Sequence, residues 1–208
     1  MHTDLHTINL LDLYNEGGWY IMWPLTLFLG IALFITIERY LVSRSAISGT
    51  SDFVQEMKRY LAAGDYKGLQ AFSAQRKTAY ARLVHTAAGQ INHKDLPKVL
   101  EEAGRFEVYE MEKNLSFLAT ISGVAPMLGF LGTTIGMIVT FHEMSLSGVE
   151  IQALYGGIMQ AMVTTVAGLI VGIYAYMAYN FSVDRVNKVV HYLEWVSAEF
   201  LESINADK

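Results

Sequence analysis

Thr133, Thr134, Gln160, Thr164 and Thr165 are the polar side chains with spacing suited to chemistry, and they lie in two uncharged runs, 114–142 and 151–183. Their hydroxyl and amide oxygens can line a polar path. None of them binds and releases a proton near neutral pH. Neither run contains Asp, Glu, Lys or Arg, and His142 sits at the outer edge of the first. Membrane proteins that move ions normally display an ionisable residue at depth. Any proton carried along this path must therefore be taken up by a group from a partner. The competing local reading is that the threonines bond back to carbonyls four residues earlier in their own helices. No Ser/His or paired-Asp constellation occurs at depth, so no nucleophile has its base within reach. An enzyme is not expected, and no catalytic residue is assigned.

The same runs are dense in small residues. The first has Pro126, Gly129, Gly132 and Gly136; the second has Gly156, Gly157, Ala161, Thr164, Gly168 and Gly172. Positions 164, 168 and 172 repeat at four-residue spacing, one face of a helix. Lipid supplies no hydrophobic drive between helices, so packed spans use small residues to bring backbones close. Three helices enclose little volume, which predicts an oligomer with these faces at subunit contacts. Pro126 predicts a bend and a freed carbonyl in its helix.

The charges place these runs. All 15 Lys and Arg residues fall in Arg39–Lys113 or Arg185–Lys208. Basic residues are retained on the cytoplasmic side, so the blocks mark that side. A first uncharged run, Trp19–Ile37, brings the number of candidate spans to three. Each is long enough for a hydrocarbon core of about 30 Å. Trp19, Tyr20 and Trp23 mark its outer interface; Arg39, Tyr40 and Arg44 mark the inner one. The predicted orientation is N-terminus outside and C-terminus inside. The net charge is −5; Asp4, Asp12, Glu16, Glu143 and Glu150 lie well away from the basic blocks, and Glu38 and Asp184 border them. No basic stripe for nucleic acid exists. With no cysteine there is no disulfide or thiolate site. No metal or cofactor is expected, His85 and His93 lacking a ligand pattern. Residues 1–18 carry no signal-peptide pattern.

The resulting reading is an all-α membrane protein with long cytoplasmic helical extensions. Its segments are a periplasmic segment 1–18, span one 19–43, a cytoplasmic helical domain 44–113, span two 114–142, a periplasmic loop 143–154, span three 155–181 and a cytoplasmic C-terminal helix 182–208. Asn9 or Asp12 is placed to cap a short outer helix. Within the cytoplasmic domain, Ser51 or Asp52 caps a helix whose apolar positions are Phe53, Met57, Tyr60 and Leu61. Gly64, Asp65 and Gly68 suggest a break. A second helix covers Tyr80–Ile91, and a third starts near Leu96 with Pro97 in its first turn. This third helix is expected to run unbroken into span two. Val183, Val186, Val190, Leu193 and Val196 form a stripe expected to face a partner. Glu38 and Arg39 read as an interface anchor, and His142 as a solvated loop residue.

Residues 125–138, Ala-Pro-Met-Leu-Gly-Phe-Leu-Gly-Thr-Thr-Ile-Gly-Met-Ile, resemble the second-span signature of the MotA/TolQ/ExbB proton-channel family. Residues 157–181, closing on Ala178-Tyr179-Asn180-Phe181, resemble its third span. Gly17-Gly18-Trp19 through Met22-Trp23-Pro24 to Glu38-Arg39 is closest to the ExbB branch. The resemblance covers nearly the whole chain. It implies that Thr133 and Thr165 line a central pore in a homo-pentamer, with Gln160 and Thr164 beside them. It further implies two copies of an ExbD-type single-span subunit supplying the titrating Asp. A TonB-type periplasmic protein would transmit the work across a Gram-negative envelope. A TolQ-like role in envelope constriction and a non-conducting membrane scaffold are the alternatives. One departure stands out: relatives have Glu-Ala-Leu-x-x-Thr where this chain has Gln160-Ala161-Met162-Val163-Thr164-Thr165. The acid is an amide here, so either partner acid and water suffice or the glutamate of relatives is structural. Such a lining would also suit sodium; protons are the expected ion, and lipid the surrounding partner.

Overall fold

The structure is a computed structural model that describes residues 14, 17–46, 49–91, 93–148 and 151–205. The expected cap at Asn9 or Asp12 lies outside them. The described residues form α-helices and no strand. In chain order the helices are α1 (Trp19–Ala46), α2 (Thr50–Ala62), α3 (Tyr66–Ala74), α4 (Ala79–Gly89), α5 (Leu96–Glu112), α6 (Leu115–Ser147) and α7 (Ile151–Asn205). Stretches within Trp19–Ser43, Leu96–Leu146 and Leu154–Asn205 are long and apolar enough to cross a membrane.

The chain divides into two compact units. One joins the described residues up to Ile35 with Ser116–Tyr179; the other joins Thr36–Leu115 with the residues from Asn180 onward. The first unit buries Leu25 and Ala32 of α1, Leu118 and Ala125 of α6, and Ala161 and Ala175 of α7. Its outward side chains are equally apolar. Phe34, Phe130 and Ile170 are each at least 60 % exposed. A helix apolar on all sides has lipid as its solvent, because water would leave that surface a liability. This is a membrane protein.

The second unit has an ordinary aqueous core. Phe53, Met57, Leu69, Tyr80, Leu83 and Val84 are fully buried. The Phe53 ring lies 4.9 Å from Tyr80 and 5.4 Å from Phe72, and the Arg76 guanidinium sits 5.1 Å over Phe72. Burying each such side chain contributes about 1.5–3 kcal/mol. From α7 the core takes Val186, Val189, Leu193, Val196 and Phe200. Of the stripe expected to face a partner, Val186, Leu193 and Val196 are thus buried in the chain's own second unit, while Val183 and Val190 stay half-buried. Lys58 pairs with Glu199, tying α2 to α7. That hydrogen bond and charge hold the Glu199 carboxyl below the usual carboxylate range and raise the Lys58 ammonium. Arg82 pairs with Glu107, joining α4 to α5, and its guanidinium is held further in its charged form by that bond.

Several boundaries depart from the sequence expectation. Gly49, at φ 74°, precedes α2, and neither Ser51 nor Asp52 occupies the cap; Asp52 lies in the first turn. The break falls at Gly64, and Gly68 belongs to α3, a short helix that the apolar spacing does not mark. Asp65 starts α3 by accepting a hydrogen bond from the Gly68 N–H at 2.8 Å. The third soluble helix does not continue into span two. It stops at Glu112, and Asn114 adopts φ 66° before α6 begins. Arg39 closes this end by donating to the carbonyls of Glu110 at 2.9 Å and Met111 at 3.3 Å. The loop between α6 and α7 is shorter than expected, since α6 extends to Ser147 and Gly148 turns the chain at φ 83°. His142 lies within α6 and is exposed.

Candidate functional site

The two helices that carry the candidate hydroxyls approach each other through glycine. A Cβ on Gly129 would come within 2.8 Å of the Thr164 carbonyl oxygen, and one on Gly168 within 2.6 Å of the Ala125 carbonyl oxygen. Gly132 lies against the Thr164 side chain, with 2.7 Å left for any added carbon. Gly136 faces Gly157 and Ala161, and Gly172 faces the Pro126 ring and the Ser122 carbonyl. Pro126 has no N–H to give Ser122 four residues earlier. All six expected packing residues therefore meet between α6 and α7 of one chain. These contacts are made within one chain, while Gly156, also among the small residues of α7, has nothing within 4 Å and stays open. Thr140, which the sequence reading did not single out, packs against Gly157 and donates to the Gly136 carbonyl at 2.8 Å.

That approach places Thr133 of α6 beside Thr165 of α7, hydroxyl to hydroxyl. Thr133 Oγ1 also reaches the Ala161 carbonyl at 3.0 Å and its own helix's Gly129 carbonyl at 3.3 Å. Thr165 Oγ1 reaches the same Gly129 carbonyl at 3.3 Å. Each hydroxyl has one proton to give and two lone pairs. Two directions follow. Either Thr165 donates to Thr133 while Thr133 donates to the Ala161 or Gly129 carbonyl, or Thr133 donates to Thr165 while Thr165 donates to Gly129. The pair can relay hydrogen-bond direction across the helix contact, yet neither oxygen titrates. Both side chains are only half-buried, so the pair is open on one side.

The remaining candidates separate. Thr164 is 1 % exposed, and its hydroxyl donates to the Ala161 carbonyl at 2.8 Å. Thr134 is exposed and bonds back to Phe130 at 3.1 Å. Gln160, half-buried, donates from Nε2 to the Tyr20 hydroxyl of α1 at 2.9 Å. Tyr20 was read only as an interface aromatic. The Gly17–Gly18 pair before it was the available signal that something approaches closely there.

A family model described as the MotA/TolQ/ExbB proton channel family matches residues 70–195. The chain is 27 % identical over 200 residues to the putative biopolymer transport protein ExbB-like 1 of Synechocystis sp., covering 93 % of this chain and 78 % of that one. It is 27 % identical over 192 residues to the putative biopolymer transport protein ExbB homolog of Methanothermobacter thermautotrophicus, covering 90 % and 67 %. Over 86 residues it is 38 % identical to the Tol-Pal system protein TolQ of Haemophilus influenzae, covering 40 % and 37 %.

Proposed function

The chain belongs to the MotA/TolQ/ExbB proton channel family, and we propose that it is the channel-forming stator subunit of a proton-driven motor. In this reading five copies surround two single-span subunits of the ExbD type in a Gram-negative inner membrane, N-terminus periplasmic. Thr133 and Thr165 form the polar step beside the partner's carboxylate, which binds and releases the proton. A TonB-type periplasmic protein passes the work to outer-membrane transport. The observation that carries the reading is the hydroxyl contact between Thr133 and Thr165 in two spans that carry no acid or base at depth, His142 lying at the edge of the first. Thr164 serves in packing, since its side chain is enclosed within the chain. A second reading, a TolQ-like role in envelope constriction, is favoured by the match to the Haemophilus influenzae protein.

The test is proton flux into liposomes holding the chain with its single-span, acid-bearing partner. Thr165→Val removes one hydroxyl and leaves Thr133 its Ala161 acceptor, so the helices stay packed. Flux is expected to fall at least about tenfold with assembly intact, the scale on which a single lost polar contact acts. Undiminished flux in this variant would overturn the assignment.

A further inference from the structure

The helix α4 begins at an open cavity of about 550 Å³ in the second unit. Ala79, its first residue, lines that cavity, and Thr78 before it makes no side-chain capping bond. Among the described residues the Thr78 hydroxyl is buried without a protein partner. A helix start left in this state offers N–H groups and a positive dipole end to an anion. Arg39 of α1 lines the same cavity and points to a ligand independently. It is 7 % exposed. Its terminal nitrogens are spent on Glu38 and on the Glu110 and Met111 carbonyls, while its Nε–H has no protein partner. The other charges around the cavity divide into spent and free. Arg82 is spent, donating to Glu107 at 2.8 Å and to the Lys77 carbonyl at 2.9 Å. Lys77 and Glu110 also line the cavity, and both are exposed. Neither forms an ion pair among the described residues. One cation beside a helix N-terminus and one carboxylate therefore remain, which suits a ligand carrying both signs better than a bare anion.

The place of the cavity narrows the ligand further. Arg39 and Val42 belong to the end of α1 where Ile37 and Leu41 present exposed apolar surface, and the exposed Phe106 ring of α5 lines the cavity too. By the charge topology this end of α1 lies at the cytoplasmic face of the bilayer. Acyl chains have an apolar surface to lie on there, and charged groups stand beside it. We propose that this cavity is a site for a zwitterionic phospholipid of the inner leaflet, its phosphate at Lys77 and the α4 N-terminus and its ammonium on the Glu110 carboxylate. Phosphatidylethanolamine has that chemistry, with N–H donors to give the carboxylate. The site is independent of what the chain conducts.

The experiment measures lipid retention by the purified full chain in native mass spectrometry, from detergent holding equal amounts of phosphatidylethanolamine and phosphatidylglycerol. Wild type is expected to retain the ethanolamine lipid in preference. Lys77→Gln is expected to cut retention of both lipids about two- to fivefold, the scale of one partly exposed ion pair. Glu110→Gln is expected to cut retention of the ethanolamine lipid by the same factor and to spare the glycerol lipid. Both side chains are exposed, so melting temperatures should match wild type and the losses report binding. Equal retention of the two lipids by wild type, or a preference that survives Glu110→Gln, would overturn the zwitterionic site. Retention indifferent to Lys77→Gln would overturn the placement of the phosphate. Displacement of the lipid by inorganic phosphate would make this a free-anion site and overturn the proposal.

Discussion

Gly168 and Gly123 are the same residue type in apolar helices, and only their neighbours distinguish them. A Cβ on Gly168 would meet the Ala125 carbonyl oxygen at 2.6 Å and Gly129 Cα at 2.9 Å, whereas Gly123 has nothing within 4 Å. Backbone on the far side cannot swing away as a side chain can. Gly168→Ala should therefore force α6 and α7 apart at a cost of about 1–3 kcal/mol. Gly123→Ala should be neutral or slightly stabilising, since alanine is the better helix former. Thermal melts of the purified protein in nanodiscs read both, and equal melting temperatures for the two variants would mean the close approach is absent. The four-residue spacing made the glycine face legible in the sequence. What it faced was not, because a period defines a face and never its partner. Thr164 and Thr165 make the same point: one residue of rotation puts the first against Gly132 and the second against Thr133.

At the scale of elements, the least legible feature was the end of α5. No Gly or Pro marks it, and Lys113-Asn114 looked compatible with a helix running on. The structure ends the helix with a left-handed Asn114, a conformation asparagine tolerates better than most residues. Arg39, far away in sequence, supplies the donors that the last carbonyls need. Glu38 completes the arrangement by pairing with Arg39 at 2.7 Å and accepting from Asn114 Nδ2 at 3.3 Å. The Glu-Arg pair read as an interface anchor is thus also the cap of a helix end that lies 71 and 72 residues further along the chain. Local rules could not find a cap delivered from another helix. Asn114→Gly should retain stability, because glycine enters the same region freely. Asn114→Val should cost about 1–2 kcal/mol for a left-handed β-branched residue. Melting curves of the two variants separate these outcomes, and a valine variant as stable as wild type would refute a strained position. By contrast α7 was legible throughout, since no breaker interrupts Ile151–Asn205. The cover of its stripe was less legible: Val186, Leu193 and Val196 are covered by the same chain and Val183 and Val190 stay half-buried, and an apolar stripe does not say where its cover comes from.

For the molecule as a whole, packing within the chain narrows how copies can meet. Gly129, Gly132, Gly136, Gly168 and Gly172 are taken up by the contact of α6 with α7 in one chain, whereas Gly123 and Gly156 have nothing within 4 Å, so any contact between copies falls on the remaining surfaces. Those surfaces are apolar and bulky: Met127, Phe130, Ile138, Met162 and Ile170 are each at least 60 % exposed. Such residues suit lipid and a neighbouring copy equally, since neither contact is driven by water. Only the polar step distinguishes a channel from a scaffold. Two hydroxyls that relay hydrogen bonds but never titrate have no use in transport without an acid beside them. The partner is therefore part of the machine in the channel reading and dispensable in the scaffold reading. Native mass spectrometry of the chain co-expressed with its single-span, acid-bearing partner decides between them. Five copies retaining two partner chains are expected, and the ratio should survive Thr165→Val, because that change alters the relay and leaves the packing face of α7 in place. An assembly that forms to the same size and excludes the partner would make the hydroxyl pair a structural contact and the protein a scaffold.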